Sequence, residues 1–286
     1  MNKAVLVVAL SSALVACGGS GGSGSKDAEI VLPPVEAKAA KLDQEASYLF
    51  AEAALYESDL REQVRELFNM SQFPRNSSIY PCTQGGEIVT DLEGSETKAT
   101  VNMQFIDCRE GNPVVVTSGA IKIVAEDKNS DSVIDYASAS YLDYRISTED
   151  TSYGIDFTNM GSLVFTRQSA NLYQERANTQ VINNILNETV ALENVHLTFN
   201  SSQSNVVPVA ASGKLVSTKY GSVELGYDAD TEGVTFTGDN SKLTVTRAYD
   251  SYYSDVVLDL DVDNDGLIDH RGETNNFNED SANWLF

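Results

Sequence analysis

The stretches "VNMQF" (residues 101–105) and "VHLTF" (residues 195–199) each alternate apolar and polar side chains over five residues. A period of two places the apolar side chains on one face of an extended strand and the polar side chains on the other. Both stretches therefore predict strands with one buried face and one face turned to solvent.

Similar short runs recur along the chain beyond residue 73. They are separated by clusters of Gly, Asn, Asp or Ser, which favour turns. The runs are "VVVTSGAIKIVA" (114–125), "SLVFT" (162–166), "KLVST" (214–218), "SVELGY" (222–227), "GVTFT" (233–237) and "KLTVTR" (242–247). Many short strands joined by tight turns indicate antiparallel pairing. We expect a mainly β domain over residues 73–286, an antiparallel meander arranged as a sandwich or roll.

One segment of this β domain is ambiguous. Within residues 168–193, the run "VINNIL" (181–186) fits either a strand or a short helix, because periodicity alone does not separate the two over so few residues. The segment is a candidate boundary between two similar halves, at about 73–175 and 176–286.

Residues 34–72 have a helical period and are rich in Ala, Leu, Glu, Gln and Arg, which favour helix. Apolar side chains recur at spacings of three and four: Leu42, Ala46, Leu49, Ala53, Tyr56, Leu60, Val64 and Leu67. We predict one long amphipathic helix from about Val35 to Phe68, or two helices broken near Ser58. The helix is expected to pack against the β domain, and a coiled-coil seam between copies is the alternative.

The N-terminus has the organisation of a signal peptide. Lys3 precedes the apolar run "AVLVVALSSALV" (4–15), and a small residue, Ala16, follows it. This run is shorter than the roughly 20 residues that a transmembrane helix needs. We therefore predict a signal peptide over residues 1–16.

The residues "LVAC" (14–17) resemble the lipobox of bacterial lipoproteins. The resemblance implies cleavage before Cys17 and acylation, for example palmitoylation, of that cysteine. Because Gly18 rather than Asp follows the cysteine, the resemblance also implies an outer-membrane lipoprotein, on the periplasmic face or at the cell surface. Residues 17–33 are rich in Gly and Ser and end in a Pro pair, so they predict a flexible tether.

The net charge limits the classes of partner that are expected, and the cysteine content limits the disulfides that can form. The 286-residue chain has 19 Lys and Arg against 42 Asp and Glu, a formal net charge of −23. Such a surface repels the phosphates of nucleic acid and anionic lipid, so neither is expected as a partner. Of the three cysteines, acylation of Cys17 leaves Cys82 and Cys108 in an oxidising compartment, where they can form one intramolecular disulfide.

The stretch "DVDNDGLID" (residues 261–269), here the first acidic loop, has the spacing of a calcium-binding loop. Calcium takes 6 to 8 oxygen ligands, and alternate side chains converge on one ion when glycine allows a sharp turn. The predicted ligands are Asp261, Asp263, Asp265, the carbonyl of Leu267, and Asp269. The pattern departs from an EF-hand, since Gly272 stands at position 12 and a strand-like run precedes the loop. The pattern resembles the calcium loops of thrombospondin type 3 and dockerin-like repeats. A plain hairpin turn is the alternative.

A second stretch, "DKNSDSVID" (residues 127–135), here the second acidic loop, repeats part of this spacing. The predicted ligands of a weaker calcium site are Asp127, Asn129, Asp131 and Asp135. Ser132 replaces the glycine and Asn129 removes one charge, so turn formation alone is the alternative.

Few residues suggest catalysis. The chain has two histidines, His196 and His270, too few for a three-histidine zinc site, and nothing places either in a Ser/His/Asp triad. The segments "YPCTQGGE" (80–87) and "FIDC" (105–108) resemble exported lipoproteins of Gram-negative bacteria, a likeness that implies no particular activity. We expect a calcium-stabilised binding, adhesion or envelope-scaffold module whose partner is an envelope protein or polysaccharide. The alternative is a calcium-dependent polysaccharide-active enzyme.

Overall fold

The computed structural model describes residues 32–55, 78–95, 97–131, 134–200, 207–248, 256–275, 277 and 282–285. The predicted signal peptide, the lipobox with Cys17 and residues 56–72 of the predicted helical segment lie outside the described residues. Within the described part, no helix has the length and apolar character needed to cross a membrane.

The described strands form one open antiparallel sheet in which each strand pairs with the next along the chain. This order needs no crossover, so consecutive strands are joined by simple connections at the ends of the sheet. The expectation of a mainly β antiparallel meander with an N-terminal helix is confirmed. The elements are α1 (Gln44–Leu55), β1 (Ser78–Pro81), β2 (Glu87–Gly94), β3 (Lys98–Glu110), β4 (Val115–Glu126), β5 (Tyr136–Thr148), β6 (Asp156–Arg167), β7 (Leu172–Asn183), β8 (Glu188–Asn200), β9 (Ala210–Ser217), β10 (Gly221–Asp228), β11 (Gly233–Thr237), β12 (Lys242–Arg247), β13 (Val256–Asp261), β14 (His270–Thr274) and β15 (Asn283–Trp284).

An antiparallel meander places its connections alternately at two opposite edges. We call upper the edge with the connections that follow odd-numbered strands, and lower the edge with those that follow even-numbered strands. The upper connections are residues 82–86, 111–114, 149–155, 184–187, 218–220, 238–241 and 262–269. The first acidic loop therefore lies at the upper edge, and the second acidic loop lies at the lower edge.

The ambiguous segment 168–193 is strand. Its residues belong to β7 and β8 and to the turns beside them, and β7 pairs with β6 and β8 along its length. Residues 175 and 176, where the two halves were expected to meet, lie in the middle of β7. The division into halves stays a prediction.

The long strands are bent by β-bulges, where the register shifts between neighbours. Gly161 of β6 shows why glycine is needed at such a place. Its φ is +105°, and a Cβ there would lie 2.1 Å from the carbonyl oxygen of Asn178, beside the bulge of β7. Gly119 of β4 approaches the carbonyl of Asp143 in the same way, also at 2.1 Å. Bulges and close glycines increase local twist, which curves the sheet.

Helix α1 packs against the apolar face of this curved sheet. Phe50 is fully buried and belongs to one core cluster with Phe165, Leu197 and Leu258 from strands β6, β8 and β13. Burying an aromatic side chain of this size contributes about 2–3 kcal/mol. Helix α1 thus closes a core to which strands from β4 to β13 contribute.

The helix begins at Gln44 rather than near Val35, because the preceding residues bond to the sheet. The N–H of Ala40 donates to the carbonyl of Ser222 at 2.8 Å, and the N–H of Leu42 donates to Ser241 Oγ at 2.9 Å. A carboxylate then caps the helix, since Asp43 Oδ1 accepts from the N–H of Ala46 at 2.8 Å.

The predicted disulfide between Cys82 and Cys108 is present, with the Cα atoms 5.4 Å apart. It joins the turn after β1 to β3 and so spans β2. Ile88 and Phe105 pack beside it in a second, smaller core cluster. A bridge that closes a loop of this length contributes about 3 kcal/mol in the chain-entropy picture. The disulfide therefore stabilises the end of the sheet that begins with β1.

Candidate metal centre

The first acidic loop is the turn between β13 and β14. Asp261 is the last residue of β13, and His270 is the first residue of β14, so the loop leaves and re-enters the sheet between paired strands. The antiparallel pairing of β13 with β14 fixes both ends of the loop. Its side chains are therefore positioned by the sheet rather than by the loop alone.

The loop brings three carboxylates together. One carboxylate oxygen each from Asp261, Asp263 and Asp265 lies within 4.8 Å of the others. Two oxygens that bind one calcium ion at about 2.4 Å lie at most about 4.8 Å apart. The separation therefore fits shared coordination of a single ion. Asp261 is 8% exposed, whereas Asp263 and Asp265 are open to solvent.

Backbone hydrogen bonds organise this cluster. The carboxylate of Asp261 accepts from the N–H of Asp265 at 3.2 Å and from the N–H of Gly266 at 2.8 Å. Asn264 and Gly266 have φ angles of 56° and 91°, which curl the backbone around the carboxylate. A Cβ at Gly266 would meet no atom within 4 Å, so glycine is favoured there by conformation and not by lack of space.

The other two predicted ligands, Asp269 and Leu267, make hydrogen bonds within the loop and to the end of β13. Asp269 Oδ2 accepts from the N–H of Val262 at 2.8 Å, and its own N–H donates to the carbonyl of Leu260 at 2.9 Å. Asp269 therefore closes the base of the loop and is not part of the three-carboxylate cluster. The N–H of Leu267 donates to Asp265 Oδ1 at 2.8 Å, and the Leu267 side chain is 69% exposed.

One further residue supports the loop. Asn240, in the turn between β11 and β12, donates from Nδ2 to the carbonyl oxygen of Asp263 at 2.8 Å. The sequence carries no signal for this contact, because 23 residues separate the two positions and the pairing of β12 with β13 brings them together.

The second acidic loop, between β4 and β5, has the same closing hydrogen bonds as the first. In both loops the N–H of position 5 donates to the carboxylate of position 1, at 3.3 Å in the second loop and 3.2 Å in the first. The N–H of position 2 donates to the carboxylate of position 9, at 2.9 Å and 2.8 Å. The N–H of position 9 donates to the carbonyl of the residue before position 1, at 2.9 Å in both.

The two loops also agree in burial and backbone conformation. The aspartates at position 1, Asp127 and Asp261, are each 8% exposed. The residues at position 4, Ser130 and Asn264, have φ angles of 62° and 56°. At the positions that the structure describes, two segments more than a hundred residues apart, at opposite edges of the sheet, therefore share these closing hydrogen bonds and the left-handed residue at position 4.

The second loop departs from the first at position 3. Asn129 Oδ1 accepts from the N–H of Asp131 at 3.1 Å, so the amide supports the turn. Among the described residues, the carboxylates of Asp127, Asp131 and Asp135 do not form a three-carboxylate cluster like that of the first loop. Positions 6 and 7 lie outside the described residues.

A third acidic turn, residues 228–233, is organised differently. Asp228 and Gly233 are directly paired across β10 and β11. The Asp228 carboxylate accepts from the N–H of Asp230 at 3.0 Å, two residues on. This hydrogen bond lowers the pKa of Asp228. Acidic turns in this sheet thus do not all adopt the nine-residue conformation.

One other possible ligand group consists of Cys82, Cys108 and Glu110. Its two sulfur atoms are joined in the disulfide, so they are not available as thiolate ligands. The first acidic loop is consequently the better candidate for a metal site in the described part of the chain.

Comparison with known proteins gives no match: no protein-family model, no curated protein and no solved structure is similar to this chain.

Proposed function

We propose that this protein is a calcium-stabilised β lipoprotein, tethered to the outer membrane through Cys17, that acts as a binding, adhesion or envelope-scaffold module. The observation that carries the proposal is the three-carboxylate cluster of Asp261, Asp263 and Asp265 in a loop closed by its own backbone. The matching conformation of the second acidic loop supports a site at residues 127–135 as well.

The donor set favours calcium over other divalent metals. The side-chain donors are carboxylate oxygens, whereas zinc sites use cysteine and histidine. Magnesium requires a near-ideal octahedron at about 2.1 Å and keeps several waters. A curled loop offering carboxylates and backbone carbonyls suits the larger, more adaptable coordination shell of calcium.

The expected role of the ion is structural. Neighbouring carboxylates about 4 Å apart repel by about 4 kcal/mol at an effective dielectric constant of 20. An ion in the first acidic loop would replace this repulsion with attraction and hold β13 to β14. An ion in the second loop would do the same for β4 and β5. The chain's net charge of −23 increases the need for such compensation.

Calorimetric titration with calcium and magnesium tests the metal part of this proposal. We expect saturable calcium binding that Asp265→Asn in the first loop abolishes, and a weaker event that Asp131→Asn in the second loop abolishes. Asp230→Asn, in the third acidic turn, is the matched control and should bind as the unmodified protein does. Calcium heats that are identical in all four proteins would refute the assignment.

Two further measurements test the tether and the module. Cys17→Ser should prevent labelling with palmitate and move the protein from the membrane fraction to the periplasm.

Polysaccharides incubated with the calcium-loaded protein should be bound without release of reducing sugar. Sustained release of reducing sugar would instead favour the alternative, a calcium-dependent polysaccharide-active enzyme.

A further inference from the structure

The upper edge of the sheet carries exposed large apolar side chains on its connections. These are Tyr153, Ile185, Leu186, Leu267 and Ile268, which are 46% to 69% exposed. The described connections of the lower edge have no exposed large apolar side chain. Among the described residues, the upper edge therefore offers exposed apolar side chains for contact with an apolar environment, and the connections of the lower edge offer none.

The turn between β7 and β8, residues 184–187, is the strongest of these features. Its sequence Asn-Ile-Leu-Asn has no charged side chain, in a protein with a net charge of −23. Ile185 is 50% exposed and Leu186 is 61% exposed. Of the apolar connections, this one can approach a phosphate-bearing surface with the least electrostatic repulsion, because no carboxylate flanks the exposed pair within the turn.

The same turn is preorganised to present this pair. Asn183 Oδ1 accepts from the N–H groups of both Ile185 and Leu186, each at 3.0 Å. Asn184 Nδ2 donates to Asp156 Oδ1 at 2.8 Å and to Thr158 Oγ1 at 3.0 Å on β6. The backbone donors beside the apolar side chains are thus already satisfied, and unsatisfied donors are what makes an irregular segment costly in lipid.

The N-terminal segment meets the sheet close to this turn. The carbonyl oxygen of Pro33 accepts from Gln180 Nε2 on β7. Gln180 is three residues before the end of β7 at Asn183, which corresponds to about 10 Å along a strand. Cys17 is 16 positions before Pro33, and a chain of that length spans at most about 55 Å. The described chain that follows the proposed tether therefore meets the sheet about 10 Å along β7 from the Ile185–Leu186 turn, and the tether is long enough to connect this point to a lipid surface at the upper edge.

We propose that the turn 184–187 docks on the phospholipid surface in which Cys17 is anchored, with Ile185 and Leu186 inserted at the headgroup boundary. This inference rests on the proposed tether and goes beyond it, because it orients the upper edge toward the membrane and the lower edge away from it. The acyl chains supply the affinity, and the apolar turn determines the orientation of the protein.

Fluorescence quenching in vesicles tests the orientation. The full lipidated chain is reconstituted into vesicles of the zwitterionic lipids phosphatidylethanolamine and phosphatidylcholine with or without brominated acyl chains. Tryptophan is introduced by Leu186→Trp or, as a second variant, Ile185→Trp. Leu142→Trp, on the exposed face of β5, is the matched control, since Leu142 is 47% exposed but lies within a strand. Native Trp284 is common to all the proteins and gives the background.

We expect brominated chains to quench about half of the emission added at residues 185 and 186, because interfacial side chains lie about 5–10 Å into the headgroup boundary. The emission added at residue 142 should be unchanged. Vesicle flotation separates the possible failures. If the protein floats but no added tryptophan is quenched, the docking is refuted and the tether stands. If the unmodified protein does not float, the tether and the docking both fail.

Discussion

Individual residues in this sheet differ widely in how much room they have for an added side chain, and the glycines beside the bulges have very little. Gly161 combines a φ of +105° with a carbonyl oxygen 2.1 Å from the position of a Cβ. Gly154, in the turn between β5 and β6, also has a positive φ, +64°, but its Cβ position is open. The two glycines therefore separate steric crowding from backbone conformation.

Gly161→Ala is expected to lower the free energy of unfolding by about 3 kcal/mol, because the methyl group must displace the backbone of β7. Gly154→Ala should cost only about 1 kcal/mol, the cost of a left-handed alanine. Urea unfolding followed by circular dichroism measures both. Equal midpoints for the two variants would show that the backbone of β7 moves away from the added methyl group at little cost in free energy.

Arg145 and Asp156 form the best-defined ion pair beside the apolar turn. Arg145 Nε and Nη2 donate to the two carboxylate oxygens of Asp156 at 2.8 Å and 2.6 Å. Hydrogen bonds from Arg145 hold the pKa of Asp156 below its ordinary value. Because the folded pKa is depressed, the stabilisation is complete above the unfolded pKa of about 4 and is lost as the pH falls through the folded pKa.

Asp156→Asn should therefore destabilise the protein at neutral pH, by about 1 kcal/mol or less because solvent reaches the half-exposed Arg145 side chain and screens the pair. The difference from the unmodified protein should be constant between neutral pH and about pH 5 and should disappear in acid, below the folded pKa of Asp156. Urea unfolding across this pH range gives the profile. Arg145→Gln should reproduce it, and a difference that persists in acid would assign the effect to packing.

The acidic loops show how far residue spacing predicts a site. The alternation of Asp261, Asp263 and Asp265 predicts that their carboxylates converge, since convergence needs only a curled backbone, and the structure brings one oxygen of each within 4.8 Å of the others. The closing role of Asp269 and the support from Asn240 depend on the register of β12, β13 and β14. Register is a property of paired strands and cannot be derived from the loop sequence.

At the scale of elements, the strands were predictable and the helix only in part. Alternation identifies a half-buried strand directly, as in residues 101–105 and 195–199. The predicted stripe of α1 included Leu49 and Ala53, but those residues are only half-buried, and the buried face runs through Phe50, Ala54 and Leu55. Alanines lie on several sides of this helix. The positions of its apolar side chains therefore do not show by themselves which face is buried.

A pair of leucines in α1 tests which face carries the packing. Leu55→Ala should lower the free energy of unfolding by about 2–5 kcal/mol, because Leu55 is 3% exposed in the main core cluster. Leu49→Ala, the same substitution on the half-buried side, should cost about 1 kcal/mol or less. Thermal and urea unfolding measure both variants. A larger loss of unfolding free energy for Leu49→Ala than for Leu55→Ala would show that the helix packs through the face predicted from the sequence.

The whole molecule has an arrangement that no local pattern predicts. The sequence indicated a meander but left sandwich and roll open, because strand alternation does not show where a sheet bends or ends. The bends depend on bulges and close glycines that act between neighbouring strands. The resulting curved sheet places the two acidic loops at opposite edges and gathers the exposed apolar turns at one of them.

A thermal melt shows whether the first acidic loop binds calcium and thereby stabilises the fold. The full chain is heated with calcium and with chelator, beside Asp265→Asn and the control Asp230→Asn. Ligand at about 100 times its dissociation constant contributes about 2.7 kcal/mol, so calcium should raise the midpoint by about 5 °C or more. Asp265→Asn should lose most of this gain and Asp230→Asn none of it. Coincident melts with calcium and with chelator would show that the loop holds no stabilising ion, and residues 261–269 would then be only an acidic turn.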